Sequence, residues 1–178
     1  MDFFTVDRVI SRKRLLGITF LTWIGVLGFD LFLHGGILAG FYLEESPFLL
    51  PPLEAFRRIP FGYLGFFINI GFLVWLFARL GLVGWRNGLV FGGVIGGVIW
   101  ISLALGLYSI STASPRLLVG WALGQTIEMA YAGAVIGLGL HSQRPRRLTL
   151  AVVFLTLILV LLTFVLQSIG LVPTVSAG

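Results

Sequence analysis

Cysteine is absent from this chain. Disulfides, thiolate metal sites and cysteine nucleophiles are thereby excluded, while the redox compartment stays open. Charge is scarce too. Only 11% of the residues are charged, against about 25% in an ordinary soluble domain. Histidine occurs twice, as His34 and His141. What fills the chain instead is apolar: 58% of its 178 residues are hydrophobic. A soluble domain could not hide that much apolar surface, so a lipid bilayer is the expected solvent and the first expected partner. The 24 glycines suit close helix packing in lipid. The net charge of +5 does not point to nucleic acid, because the basic residues form no stripe and cluster in the gaps between apolar runs.

An apolar stretch of roughly 20 residues crosses a ~30 Å hydrocarbon core as a helix. Five such stretches are present, over residues 15–43, 60–79, 87–109, 117–140 and 148–172. Helices are expected because a spanning segment must satisfy its own backbone polar groups. The runs are too long and too uniformly apolar for a β-barrel. The first run is longer than a signal-peptide core and carries Asp30 and His34, so it reads as a retained span. The whole chain, 1–178, reads as one integral membrane domain.

Lys and Arg are unevenly shared between the connections. Arg8, Arg12, Lys13 and Arg14 precede the first span; Arg79 and Arg86 join the second to the third; Arg144, Arg146 and Arg147 join the fourth to the fifth. The opposite side holds Arg57, Arg58 and Arg116. This asymmetry predicts a cytoplasmic N-terminus, and an odd number of spans then puts the uncharged tail VPTVSAG outside. The outer loop ESPFLLPPLEAFRRIP, residues 45–60, is punctuated by Pro47, Pro51, Pro52 and Pro60. Within it Leu53, Phe56 and Ile59 fall at helical spacing, which fits either a short interfacial helix or a stiff connector packed on the spans.

In the third span Gly88, Gly92 and Gly96 recur every four residues, with Gly93 and Gly97 repeating the pattern one step around. The fourth has Gly120, Gly124, Gly133 and Gly137. Small residues at this spacing form a groove for a neighbouring backbone, so these two spans are expected to pair tightly and antiparallel; association of two copies through the same faces is the alternative. The fifth span, LTLAVVFLTLILVLLTFVLQSIGLV, has no acid and no glycine ridge. The expected fold is therefore an all-α, polytopic membrane helical bundle with a four-helix core and a peripheral fifth transmembrane helix.

Counting depth at ~1.5 Å per residue places several polar groups at one level. Asp30 lies about 24 Å along its helix from Arg14, and His34 about 6 Å further out. Glu128 is about 18 Å from Arg116, and Asn69 about 13 Å from Pro60. Gln125 and Ser102 fall in the same outer-half slab. Asp30, His34, Asn69, Ser102, Gln125 and Glu128 are thus the candidate members of one buried polar pocket. An embedded charge costs on the order of 3 kcal/mol, so these groups should turn inward and pair. Asp30 and His34 are an i, i+4 pair, and Glu128 could donate to Asn69. Four roles compete: a hydrogen-bond cluster fixing helix register, a proton or cation site, a patch orienting the headgroup of a lipid, quinone or pigment, and a metal site. The last has only Asp30, His34 and Glu128 as ligands, with His141 far away at the cytoplasmic end, so no metal is assigned.

Nothing points to catalysis. HExxH, GxSxG, a phosphate-cradling loop and paired membrane aspartates are all missing from the sequence, and GGVIGG lies mid-span with no lysine after it. No pattern names a cofactor. Trp23, Trp75, Trp85, Trp100 and Trp121 lie toward span ends and read as interfacial anchors.

Asp30 followed by Phe41 and Tyr42, a Gly-rich third span before Tyr108, and Glu128 among small residues form a recognisable order. The pattern over residues 15–140 resembles an uncharacterised bacterial group of small four-helix inner-membrane proteins, in which the fourth-span acid is more often Asp. The resemblance implies the helical fold and no activity. The expected role is that of a non-enzymatic accessory or assembly subunit, or a hydrophobic-ligand-binding protein, whose partner is a larger membrane complex or a second copy. The alternative is a small oligomeric transporter coupled to protons or cations through Glu128 and Asp30.

Overall fold

The computed structural model describes residues 10–42 and 47–173. Arg8, residues 45 and 46 of the outer loop, and the tail beyond Pro173 lie outside the described residues. Five α-helices account for most of the rest: α1 (Arg12–Phe32), α2 (Pro52–Leu80), α3 (Trp85–Ile110), α4 (Pro115–His141) and α5 (Pro145–Ser168). A π-helical turn, Leu33–Ile37, continues α1, and a 3-10 turn, Ala39–Tyr42, follows it. Four helices, α1, α2, α3 and α5, are long and apolar enough to cross a membrane.

Local signals set the boundaries. Ser11 caps α1 by accepting from the Arg14 amide at 3.3 Å, and Ser114 caps α4 by accepting from the Leu117 amide at 3.2 Å. Pro115 and Pro145 occupy the first helical positions of α4 and α5, where no amide hydrogen is needed. Gly81 ends α2 in the left-handed region, at φ 66°. One boundary differs from expectation. The second helix begins at Pro52 rather than near 60, so the outer segment is neither a separate interfacial helix nor a connector. Pro52 starts the helix, and Pro60 is tolerated inside it because it removes a single backbone bond. Leu53, Phe56 and Ile59 are exposed on its first turns.

The helices alternate in direction. Ascending α1 meets descending α4: Ile18 lies against Gly139, Leu33 against Gly124 and Leu38 against Gly120. Trp23 of α1 donates to the Tyr63 carbonyl of α2 at 2.9 Å and packs edge-on against Phe67. α5 runs parallel to α1, with Val152, Thr156 and Thr163 seated at Gly25, Gly28 and Gly35. Five successive helices running alternately up and down produce this arrangement. The four-helix core with one outlier is revised, however. α1 and α4 form the centre, and α2, α3 and α5 flank it, with α3 packed chiefly on α4 and α5 on α1.

α4 explains that layout. It is the one helix of the five not apolar enough to qualify as a span by itself, and it has the longest roll of buried positions, including Gln125 and Glu128. Its neighbours cover those side chains. One neighbour is α3. A Cβ placed at Gly92 would stand 3.0 Å from the Gly133 Cα, and the Gly84 amide donates across the seam to the Gly137 carbonyl at 3.0 Å. Gly88, Gly92 and Gly96 face Gly133, Met129 and Thr126, so the backbones touch. Gly93 and Gly97 sit at the margin, in ordinary contact distance of Ala130 and Thr126. Gly120 and Gly124 do not join this seam. They form notches on the opposite side that receive Leu38 and Leu33. At its lower end α4 is tied to α1 by Arg14, whose Nη2 donates to the Gly139 and Ser142 carbonyls at 3.0 and 2.8 Å. A cation there satisfies the free carbonyls of the last turn and opposes the helix dipole.

Gly92→Leu should therefore cost about 3 kcal/mol or more, since the added side chain has only backbone to displace. Gly65→Ala, where a methyl meets open space inside α2, should stabilise by about 0.5–1 kcal/mol. Thermal unfolding in a mild detergent measures both.

Candidate functional site

The polar residues of α1 and α4 meet at one level. Asp30 and His34 come from the last turn of α1 and the π-turn; Gln125 and Glu128 come from α4. The Gln125 amide nitrogen lies at the centre, 3.1 Å from Glu128 Oε2, 3.1 Å from His34 Nε2 and 3.4 Å from Asp30 Oδ1. His34 Nε2 stands 3.2 Å from Asp30 Oδ1. On its other side His34 Nδ1 is bonded to the Tyr42 hydroxyl, which also accepts from Trp121 Nε1, each at 2.5 Å.

The π-turn brings this about. The Leu38 amide bonds the Leu33 carbonyl, five residues back, at 2.8 Å. Such an insertion frees a carbonyl, and Gln167 of α5 supplies a donor by binding the Gly35 carbonyl at 2.9 Å. The wider turn carries the chain outward and lets Tyr42 fold back onto His34, edge-on at 5.6 Å between ring centres.

One proton arrangement leaves neither carboxyl group without a donor. Trp121 Nε1–H donates to the Tyr42 oxygen, and Tyr42 O–H donates to His34 Nδ1. His34 Nε2–H then donates to Asp30. The two Gln125 amide hydrogens go to Asp30 and Glu128. In the opposite tautomer Gln125 would spend one hydrogen on His34, and Asp30 would lose both donors. Hydrogen bonds aligned head to tail in a dry site polarise one another, so the set is worth more than its members singly. The Gln125 NH2 group also occupies the point between the two carboxyl oxygens and the imidazole where a small cation would sit. Among the described residues no group of three His, Asp or Glu is placed to hold a metal ion.

Accessibility runs in one direction. Glu128 and Gln125 are 2% and 3% exposed, whereas the His34 side chain is 25% exposed. Beyond Glu128 the packing turns apolar, with Ile70, Leu73, Val74, Phe77, Ala132 and Ile136 in one buried cluster. The cluster thus has a buried polar floor at Glu128 and Gln125 and a part-exposed imidazole at its edge.

Four of the six sequence candidates, Asp30, His34, Gln125 and Glu128, are brought together. Asn69 and Ser102 are not. Both are exposed, Asn69 on the outer side of α2 and Ser102 among the exposed residues of α3. Ser102 lies on the wrong face of α3, and Asn69 lies lower as well, because α2 starts at Pro52 and its Phe67 and Gly71 stand beside Trp23 and Thr19 of α1, well below Asp30. A bond from Glu128 to Asn69 is therefore absent, and Gln125 takes that place. Sequence reasoning missed Tyr42 and Trp121 as members. The available signal was their polar handles, since a Tyr hydroxyl or Trp N–H placed against a packed helix ordinarily finds a partner. No family model, curated protein or solved structure matches this chain.

Gln125→Leu, similar in volume but with no donors, leaves two carboxyl groups short of hydrogen and should destabilise by about 2–3 kcal/mol. Tyr42→Phe and His34→Leu should couple in a double-mutant cycle by about 0.5–3 kcal/mol, because one bond joins them. Chemical or thermal unfolding of the four proteins gives that number, and strict additivity would remove the relay from the account.

Proposed function

We propose that this chain is a non-enzymatic, multi-pass protein of the bacterial inner membrane that binds the polar head of a hydrophobic ligand at the α1–α4 cluster. All five helices are taken as spans, α4 included, because its neighbours shield its polar positions. The observation that carries the reading is the gradient across the cluster: a buried floor at Glu128 and Gln125, and a part-exposed edge at His34 and Tyr42. A cluster with that gradient, set among outward apolar faces, suits an amphiphile whose tail lies along the helices and whose head reaches inward.

Charge placement supports the orientation. Alternating helices gather Arg12, Lys13, Arg14, Arg79, Arg86, Arg144, Arg146 and Arg147 at one end, with Arg57, Arg58 and Arg116 at the other. The richer end is the cytoplasmic one on the positive-inside rule. The part-exposed edge of the cluster then faces the outer leaflet. The accessory-subunit reading shares this site and adds a protein partner on the lipid-facing surfaces. The transporter alternative needs a polar path through the cytoplasmic half, where the apolar cluster around Phe77 and Ile136 stands instead.

The test is extraction of the purified protein from native membrane patches, followed by mass spectrometry of what it carries. A defined amphiphile should be enriched, and His34→Leu should lower its occupancy at least tenfold, about 1.4 kcal/mol. A lipid profile no different from the surrounding membrane would defeat the proposal. Glu128→Gln in vesicles should leave solute and proton flux at the background level of the wild type; a flux that this substitution abolishes would favour the transporter.

A further inference from the structure

We infer that an internal water molecule is bound between the Thr22 and Tyr131 hydroxyls, on the cytoplasmic side of Glu128. The inference goes beyond the ligand reading and does not depend on what the cluster binds.

Thr22 is 0% exposed, and its hydroxyl has no hydrogen-bond partner among the described residues. Every other threonine in the described helices bonds the carbonyl four residues earlier. Thr19 binds Leu15, Thr126 binds Ala122, Thr149 binds Pro145, Thr156 binds Val152 and Thr163 binds Leu159. That bond is the default for a hydroxyl inside a helix with nothing else to meet. Thr22 has forgone it in the driest part of the fold.

The only other buried side-chain polar atom left without a partner among the described residues is the Tyr131 hydroxyl. Its ring stacks on Phe29, with centres 5.9 Å apart and planes 17° from parallel. That stacking aims the hydroxyl at Gly25, where it is the first atom an added Cβ would strike. Gly25 is less than a turn above Thr22 on α1. Residues three apart on a helix have Cβ atoms about 5–6 Å apart. Two ordinary O–H···O bonds laid end to end span about 5.6 Å. The two orphaned hydroxyls thus lie on one side of α1 within a turn of each other, past direct bonding range and within reach of one bridging water.

A native protein seldom leaves a buried hydroxyl bare, and a small polar void with two or more partners is where internal water is found. Tyr131 is also three residues from Glu128 on α4, one turn further into the bundle. The water therefore offers the next hydrogen-bonding station beyond the floor of the cluster, before the apolar packing begins.

Two measurements decide it. In infrared difference spectra, replacing ordinary water by water labelled with heavy oxygen shifts the stretching band of bound water and leaves Thr and Tyr hydroxyl bands where they were. A shifted band of a dehydrated, weakly bonded water is expected in the wild-type protein in detergent or nanodiscs, retained in Thr22→Ser, and lost in both Thr22→Val and Tyr131→Phe. No such band, or one that survives both substitutions, overturns the inference. The sign of the stability change is the second readout. A bridged hydroxyl stabilises, so each substitution should lower the melting temperature by about 2–4 °C, with the double variant losing less than the sum. A truly bare hydroxyl is a burden, so a rise in melting temperature for either variant also overturns it.

Discussion

Hydrocarbon offers an ionisable or amide side chain no partner, and Gln125 and Glu128 both sit on α4. That single difficulty arranges the molecule. On the reading proposed above, α4 is kept from lipid by α3 on one side and α1 on the other, and it is the two flanking faces that differ in kind. Toward α3 the helix is smooth: Gly133 and Gly137 admit the α3 backbone so closely that an amide donates across the seam. Toward α1 it is notched and polar, with Leu33 and Leu38 lodged at Gly124 and Gly120 and the amide of Gln125 reaching for Asp30 and His34. Where water supplies no driving force between helices, close van der Waals contact and interhelical hydrogen bonds are the two attractions available, and one helix uses both.

The cluster owes its shape to an irregularity. A regular α-helix through Leu33–Ile37 would continue straight outward and carry Tyr42 away from His34. The π-turn spends one intrahelical bond, which Gln167 of α5 compensates at the Gly35 carbonyl. Helix α5 is in this sense a support for the site although it contributes no side chain to it. Its glycine-notched contact with α1 holds the turn in place, and Arg14 does the same at the far end by capping α4.

Much of this was legible in the residues. Five helices, their approximate limits and the Gly88–Gly92–Gly96 ridge follow from run length and spacing. So does the meeting of Asp30, His34, Gln125 and Glu128, because burial of a polar group demands a partner. What failed did so for a geometric reason. Counting residues gives height and says nothing of azimuth, which is why Ser102 faces away from the site; for Asn69 the height fails too, because the count from Pro60 misses the two turns of α2 that precede it. The same blindness hid which face of α4 Gly120 and Gly124 serve. Tyr42 was out of reach for another cause: its position depends on a π-turn, and no spacing rule announces an extra residue in a helix. The second helix starts early because Pro52 initiates it, whereas a proline-punctuated stretch reads from sequence as a break.

The pairing of α1 with the last helix sets a timetable for biogenesis. Gly35 and Gln167, which bond each other, are 132 positions apart. A ribosome covers that distance in on the order of 10 s. On the membrane reading proposed above, α1 waits through that interval with its aspartate and histidine, with α2 beside it and α5 still unmade.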